Sequence, residues 1–193
     1  MEEKARIRGQ VAAVRKALAQ AEVKQKSREI IERLLMVEEF SAAVRVMLYH
    51  AFDNEVETKE LIKKSLAGGK SVLLPRCDVA GRGIEVCEIR HLDADLRRGR
   101  YGIMEPAEHT MTFQKLEQID LCVVPGVAFD RRGYRIGRGK GFYDVFLARL
   151  SPRTLKVGVA FELQLLEKVP HLNHDIAMDM IITERETLRF PRC

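Results

Sequence analysis

Apolar positions recur with two different periods along this chain, and the change of period divides it into helices and strands. Ile7, Val11, Val14 and Leu18 fall at helical spacing among basic residues, predicting an amphipathic helix over residues 2–20. A second helix is expected over about residues 24–36. The run VRVMLYH, residues 44–50, is β-branched, apolar and too short for a buried helix, so it reads as a buried strand. A helix is predicted over about residues 57–67, with Thr58 and acidic residues at its start and Gly68-Gly69 at its end. SVLLP (71–75), the alternating IEVCEIR (84–90), DLCVVPG (120–126) and LKVGVAF (155–161) read as further strands. A helix is expected to start near Gly139.

This mostly strand, helix, strand order predicts an α/β fold with a largely parallel sheet between helices. At 193 residues the chain suits one domain, 1–193, better than two. Residues 92–118 show weak periodicity and many turn formers, and are expected to form a long loop of the kind that often binds ligands.

Composition narrows the class. With 46% hydrophobic and 32% charged residues the chain is expected to fold, not to remain disordered. No run approaches the roughly 18 apolar residues of a membrane span. The N-terminus lacks the apolar block of a secretory signal, so a soluble, cytoplasmic protein is expected. Cys77, Cys87, Cys122 and Cys193 form no C-x-x-C pair or zinc-spaced cluster and read as reduced structural thiols. The net charge of +5 is concentrated near the N-terminus and in residues 131–140, which suggests an anionic partner: nucleic acid, nucleotide or polycarboxylate.

The segment most informative about chemistry is DLCVVPGVAFDRRGYRIGRGKGFYDVFLARL, residues 120–150. A buried strand ends at Val124-Pro125-Gly126, and Gly137, Gly139 and Gly141 then alternate with Arg138 and Lys140 ahead of an amphipathic helix. Ligands of open α/β sheets sit outside the carboxyl ends of strands, where such a loop projects. Glycines let backbone amides approach an anion, and Arg135, Arg138 and Lys140 add full charges, so the loop reads as a phosphate cradle. A tight turn or a solvated surface would account for the glycines or the cations separately, but turns seldom combine both with a helix start. The spacing is one residue too long for a Walker A loop, and no Ser or Thr follows Lys140. Phe142 occupies the last glycine position of G-x-G-x-x-G, which disfavours a dinucleotide fingerprint. Asp144 is expected in the first turn of the helix, where the dipole favours a carboxylate. Beside phosphates it would also suit Mg²⁺, which is commonly held by one or two carboxylates plus phosphate oxygens. Asp175 or Asp179 is a candidate second carboxylate, although Asp175 by itself reads equally as a cap or turn residue.

PGVAFD at residues 125–130 and RIGRGKGFYD at 135–144 resemble the 5-formyltetrahydrofolate cyclo-ligase family, also called methenyltetrahydrofolate synthetase. The resemblance extends in order through Lys4 and Arg8, NEVET (54–58), LPR (74–76), GIMEP (102–106) and HDIAMDMIIT (174–183), covering most of the chain. It implies a three-layer α/β/α Rossmann-like fold of the ribose-phosphate isomerase and CoA transferase type. The implied reaction takes ATP and 5-formyltetrahydrofolate to 5,10-methenyltetrahydrofolate, ADP and phosphate. By the same resemblance ATP would be bound by Lys4, Arg8, Arg135, Ile136, Gly137, Arg138, Gly139, Lys140, Gly141, Phe142 and Tyr143, with Lys140 and Arg138 acting on the transferred phosphoryl group. Asp144 and Asp175 would hold Mg²⁺. Glu55 would contact the pterin, and His50, Met104, Arg138 and Phe142 would complete the folate side, with Tyr101 a further candidate beside Met104. The folate substrate is expected with or without a polyglutamate tail, and no nucleic acid, membrane or obligate protein partner is expected. Two positions depart from the family pattern: Phe142 stands where tyrosine is common, and His50 where an apolar folate-lining residue is expected. A sugar-phosphate isomerase or acyl-CoA transferase would use a similar loop without needing a carboxylate such as Asp144 behind it. A nucleic-acid module would use Arg131, Arg132, Arg135 and Arg138 on phosphates, but aromatic residues make up only 6% of the chain and Trp is absent, which disfavours stacking recognition.

Overall fold

The short apolar runs become the centre of one sheet in the computed structural model, which describes residues 2–78, 83–99 and 102–192. Helices α1 (Glu2–Lys16), α2 (Gln20–Leu35) and α3 (Glu38–Ala42) precede β1 (Arg45–Met47). Next come α4 (Lys59–Ala67), β2 (Ser71–Cys77), β3 (Ile84–Ile89), β4 (Leu96–Arg98) and β5 (Met104–Pro106), then a 3-10 turn at Leu116–Gln118 and β6 (Leu121–Val124). The remainder runs β7 (Ala128–Asp130), β8 (Arg135–Ile136), α5 (Phe142–Leu147), β9 (Leu155–Val159), a 3-10 turn at Glu162–Gln164, β10 (Leu165–Leu166), β11 (Met180–Ile182) and β12 (Thr187–Arg189). Tyr101 and Cys193 lie outside the described residues.

The seven-stranded sheet has the order β12-β11-β9-β6-β1-β2-β3. Its neighbours from β11 to β2 are all parallel, and β12 and β3 add antiparallel edges. A parallel sheet has to be covered on both faces, and alternate side chains of each strand divide accordingly. Val46, Val72, Leu74, Leu121, Val123, Val157 and Met180 join one apolar cluster with α2 and α4 residues such as Ile30, Leu34, Leu61 and Ile62. Met47, Leu73, Cys122, Val124 and Ile181 point the other way, to a second cluster with Phe146 and Leu147 of α5. The fold is therefore a mixed α/β arrangement with a large, mostly parallel sheet, as the strand and helix order predicts.

Several boundaries differ from the sequence expectation. α2 starts at Gln20, since QAEVKQK contains no breaker and Glu22 suits a first turn. Val14 is 56% exposed, because α1 buries Ile7, Val11 and Arg15 instead. Residues 92–118 are not a plain loop: β4 and β5 pair antiparallel, with Arg97 opposite Glu105, in strands too short to show a period. The helix expected near Gly139 begins at Phe142, because Gly139 and Gly141 adopt φ of 99° and 69°, outside the helical region. Part of the expected loop before it is strand: β8 pairs with β7, which also pairs with β10.

Candidate active site

The parallel strands all point one way, and two groups of candidate residues follow their carboxyl ends: 48–55 after β1 and 125–144 after β6. Asp130 anchors the base of the β7–β8 turn. Fully buried, it accepts bonds from the backbone amides of Arg132 (3.0 Å), Tyr134 (3.0 Å) and Val169 (2.9 Å) and from the Arg132 guanidinium (2.7 Å). This fixes where the chain enters β8 and the 137–141 loop.

Three basic residues expected to act alike have different surroundings. Arg135 is buried, and its Nη2 donates to Asp144 Oδ1 at 2.8 Å while the guanidinium lies 5.7 Å from the Tyr143 ring. Arg138 is exposed; its Nη2 donates to Glu55 Oε1 at 2.8 Å and to Phe52 O at 3.2 Å, and it lies over the Phe52 ring. The Lys140 ammonium stands 5.7 Å from the Phe142 ring, on an exposed residue. Ile136 is buried with Ile7 and Val11, so its side chain serves packing and only its backbone faces the loop.

α1 holds this loop from the side. Arg8 Nε donates to Gly137 O at 2.8 Å, and a Cβ at Gly139 would sit 3.5 Å from the Arg8 guanidinium carbon. Lys4, one turn earlier, pairs with Asp175. Lys4 and Arg8 thus reach two different segments from one face of α1, Asp175 and Gly137, as their four-residue spacing on a helix allows.

Asp144 falls in the first turn of α5, as expected. Asp175 closes a turn, accepting the Leu172 amide at 2.7 Å. Burial pushes the Asp175 carboxyl up, but the Lys4 and Leu172 hydrogen bonds and the Lys4 charge outweigh it and hold it below the usual range. Arg135 feels both carboxylates. Among the described residues no three His, Cys, Asp or Glu side chains are grouped to hold a metal by themselves. Asp144 and Asp175 are the carboxylates that could hold Mg²⁺, with its remaining ligands from phosphate and water.

In the turn after β1, Glu55 accepts the Phe52 amide at 3.1 Å as well as Arg138 at 2.8 Å. His50 is half-buried, its Nδ1 3.2 Å from Ala51 O, and burial lowers its pKa. Met104 is half-buried in β5. Tyr143 is packed on Phe146, and its hydroxyl, without a hydrogen-bond partner among the described residues, is pushed well up by burial. The Cys77 thiol is pushed up to about 11 by burial and a bond with Glu105, which suits a structural thiol.

Two features escaped the sequence reading. Asp130 was visible only as part of PGVAFD, with no sign that three backbone amides and the Arg132 guanidinium would converge on it. The Asp53-Asn54 turn that presents Glu55 carried a usable signal, since such dipeptides favour left-handed backbone.

The profile of the 5-formyltetrahydrofolate cyclo-ligase family matches residues 1–184. The 5-formyltetrahydrofolate cyclo-ligase of Escherichia coli (strain K12) is 31% identical over 170 residues, covering 88% of this chain and 93% of that protein. The enzyme of the same name from Haemophilus influenzae is 29% identical over 174 residues, covering 89% and 92%. The NMR structure of Aquifex aeolicus 5,10-methenyltetrahydrofolate synthetase superposes with a TM-score of 0.85 at 36% identity, over 96% of this chain and 92% of that one. A Mycoplasma pneumoniae 5,10-methenyltetrahydrofolate synthetase at 23% identity shares the fold, with a TM-score of 0.76 over 94% and 99%. A family profile over residues 1–184 and relatives that match along nearly the whole chain make this protein a member of the 5-formyltetrahydrofolate cyclo-ligase family of enzymes.

Proposed function

We propose that this protein cyclises 5-formyltetrahydrofolate to 5,10-methenyltetrahydrofolate at the expense of ATP, releasing ADP and phosphate. The observation that supports this best is the 2.8 Å contact between Arg138 of the glycine-rich loop and Glu55 of the turn after β1. It brings the expected phosphate-binding and pterin-binding elements side by side, as transfer between two substrates requires.

A formyl group on nitrogen is amide-like, and its oxygen is a poor leaving group. In the proposed reaction the γ-phosphoryl group passes from ATP to the formyl oxygen with ADP as the leaving group, N10 attacks the activated carbon and loses its proton, and inorganic phosphate departs with the oxygen. The residues' task is positioning and charge stabilisation. Lys140 and Arg138 would meet the transferred phosphoryl group, and the backbone from Gly137 to Gly141, steadied by Arg8, would follow the polyphosphate. Lys4, Phe142 and Tyr143 would complete the nucleotide side. Arg135 would act mainly by fixing Asp144. Asp144 and Asp175 would hold Mg²⁺, which supplies charge neutralisation to the phosphates. Glu55 would hold the pterin, with His50, Met104 and Phe142 along the folate. Phe142 can offer ring packing but no hydroxyl. The chain would act as one catalytic domain, and the free thiols Cys77, Cys87 and Cys122 accord with the reducing cytoplasm.

The test is to incubate the protein with 5-formyltetrahydrofolate, ATP and Mg²⁺ and follow methenyl product and phosphate together. Equal amounts of both are expected. Folded protein that yields neither would sink the proposal.

A further inference from the structure

Arg15 is a charged residue in the interior that no part of the proposed chemistry uses. It sits in the last turn of α1 at 2% exposure, and among the described residues its Nε and Nη1 have no hydrogen-bond partner. A guanidinium cannot shed its proton, so burying it is costly unless an opposite charge faces it. Its ion-pair partner is Asp53, whose Oδ2 lies 3.6 Å from Nη2. The same Asp53 oxygen is 4.0 Å from Arg138 Nη1.

Asp53 and Asn54 are the only non-glycine residues with positive φ among the described residues, at 56° and 53°. They are the two central residues of a turn closed by Glu55 N donating to Phe52 O at 3.3 Å, the pattern of a type I′ turn. Backbone of this kind persists where the surroundings over-determine it. Here both central side chains are tied to the end of α1. Asn54 Nδ2 lies 3.4 Å from the carbonyl oxygens of Arg15, Lys16 and Leu18, and its Oδ1 accepts Gln20 Nε2 at 2.7 Å. The last residue of this turn is Glu55. The Tyr49 hydroxyl lies within electrostatic reach of Glu55, Arg15 and Arg138.

We propose that Arg15 and Asp53 are positioning residues for the folate side of the site: the buried guanidinium holds the Asp53-Asn54 turn, and the turn sets where Glu55 stands. α1 then serves both substrates, its first half through Lys4 and Arg8 and its last turn through Arg15. The inference rests on the folate reading of Glu55.

Asp53→Asn is the clean variant, because asparagine accepts left-handed backbone as readily as aspartate while the charge is lost. Arg15→Met keeps a buried apolar stem, and Arg15→Lys keeps a charge. Binding of 5-formyltetrahydrofolate and, separately, of a non-hydrolysable ATP analogue is measured by calorimetry. Asp53→Asn and Arg15→Met are each expected to weaken folate binding about tenfold and to leave the nucleotide Kd within about twofold, with Arg15→Lys recovering part of the loss. In turnover the loss should sit in the folate KM and not in kcat. Unchanged folate binding in Asp53→Asn, or an equal loss for both ligands, would overturn the inference and leave the functional reading standing. Wild-type protein that binds no folate would instead overturn the functional reading, and this inference with it.

Discussion

Lys140 and Arg135 are separated by four residues, yet the structure gives them opposite circumstances. Arg135 is buried against Asp144, whereas Lys140 is exposed in a loop whose backbone is held by Arg8 at Gly137. Lys140→Ala should therefore lower turnover by about 10²–10³-fold, the usual effect of removing one preorganised charge-stabilising group. Its thermal midpoint should stay near wild type. A variant that keeps full activity would show that the transferred phosphoryl group is met elsewhere. The sequence made the concentration of cations legible, since three basic residues alternating with glycines are visible in any reading. It did not separate the interior cation from the exposed one. That depends on Arg135 falling in β8, and pairing of a two-residue strand leaves no periodic trace.

At the scale of elements, short segments are held by single side chains that satisfy several backbone groups. Asp95 is the clearest titratable case: its carboxylate accepts the amides of Arg90 at 2.7 Å and His91 at 2.8 Å just before β4. Burial pushes this carboxyl up, but the amide bonds and His109 outweigh it and bring it from 3.8 to about 2. A carboxyl depressed on folding contributes stability that is complete above its unfolded value and is lost as pH falls through the folded one. The Asp95 contribution should thus be full above about pH 4 and vanish toward pH 2. Asp95→Asn should be less stable than wild type at pH 7, and the two urea-unfolding curves should converge as pH falls through this window. Parallel loss in both proteins would show that Asp95 is not responsible. The same scale explains the short α5. Positive φ at Gly139 and Gly141 postpones the helix to Phe142, and the glycines that marked a phosphate loop also determine where helix cannot form.

For the whole molecule, the proposed ligands link parts distant in sequence: α1, the turn after β1, the loop after β6 and Asp175. A ligand that binds only this assembled state stabilises it by mass action. ATP at about 100 times its Kd should add about 2.7 kcal/mol, and at this chain length the thermal midpoint should rise by roughly 5–10 °C. Chelation of Mg²⁺ should remove most of that rise if Asp144 and Asp175 share the metal with the nucleotide. A shift that chelator leaves untouched would argue against the metal assignment.

The sequence by itself determined the class of fold and singled out the segment proposed as the site. Apolar runs of four to seven residues between amphipathic segments can be buried only as a sheet covered on both faces, and alternate glycines with cations after such a strand are local facts. The order of motifs along the chain also sufficed to indicate the family. What only the tertiary structure decided is the partner of each charge: Arg135 with Asp144, Arg138 with Glu55, Lys4 with Asp175, and Arg15 with Asp53. Three of these four pairs join residues far apart in sequence. Periodicity describes which face of an element a residue occupies, but the charge it meets depends on which elements the sheet order brings together.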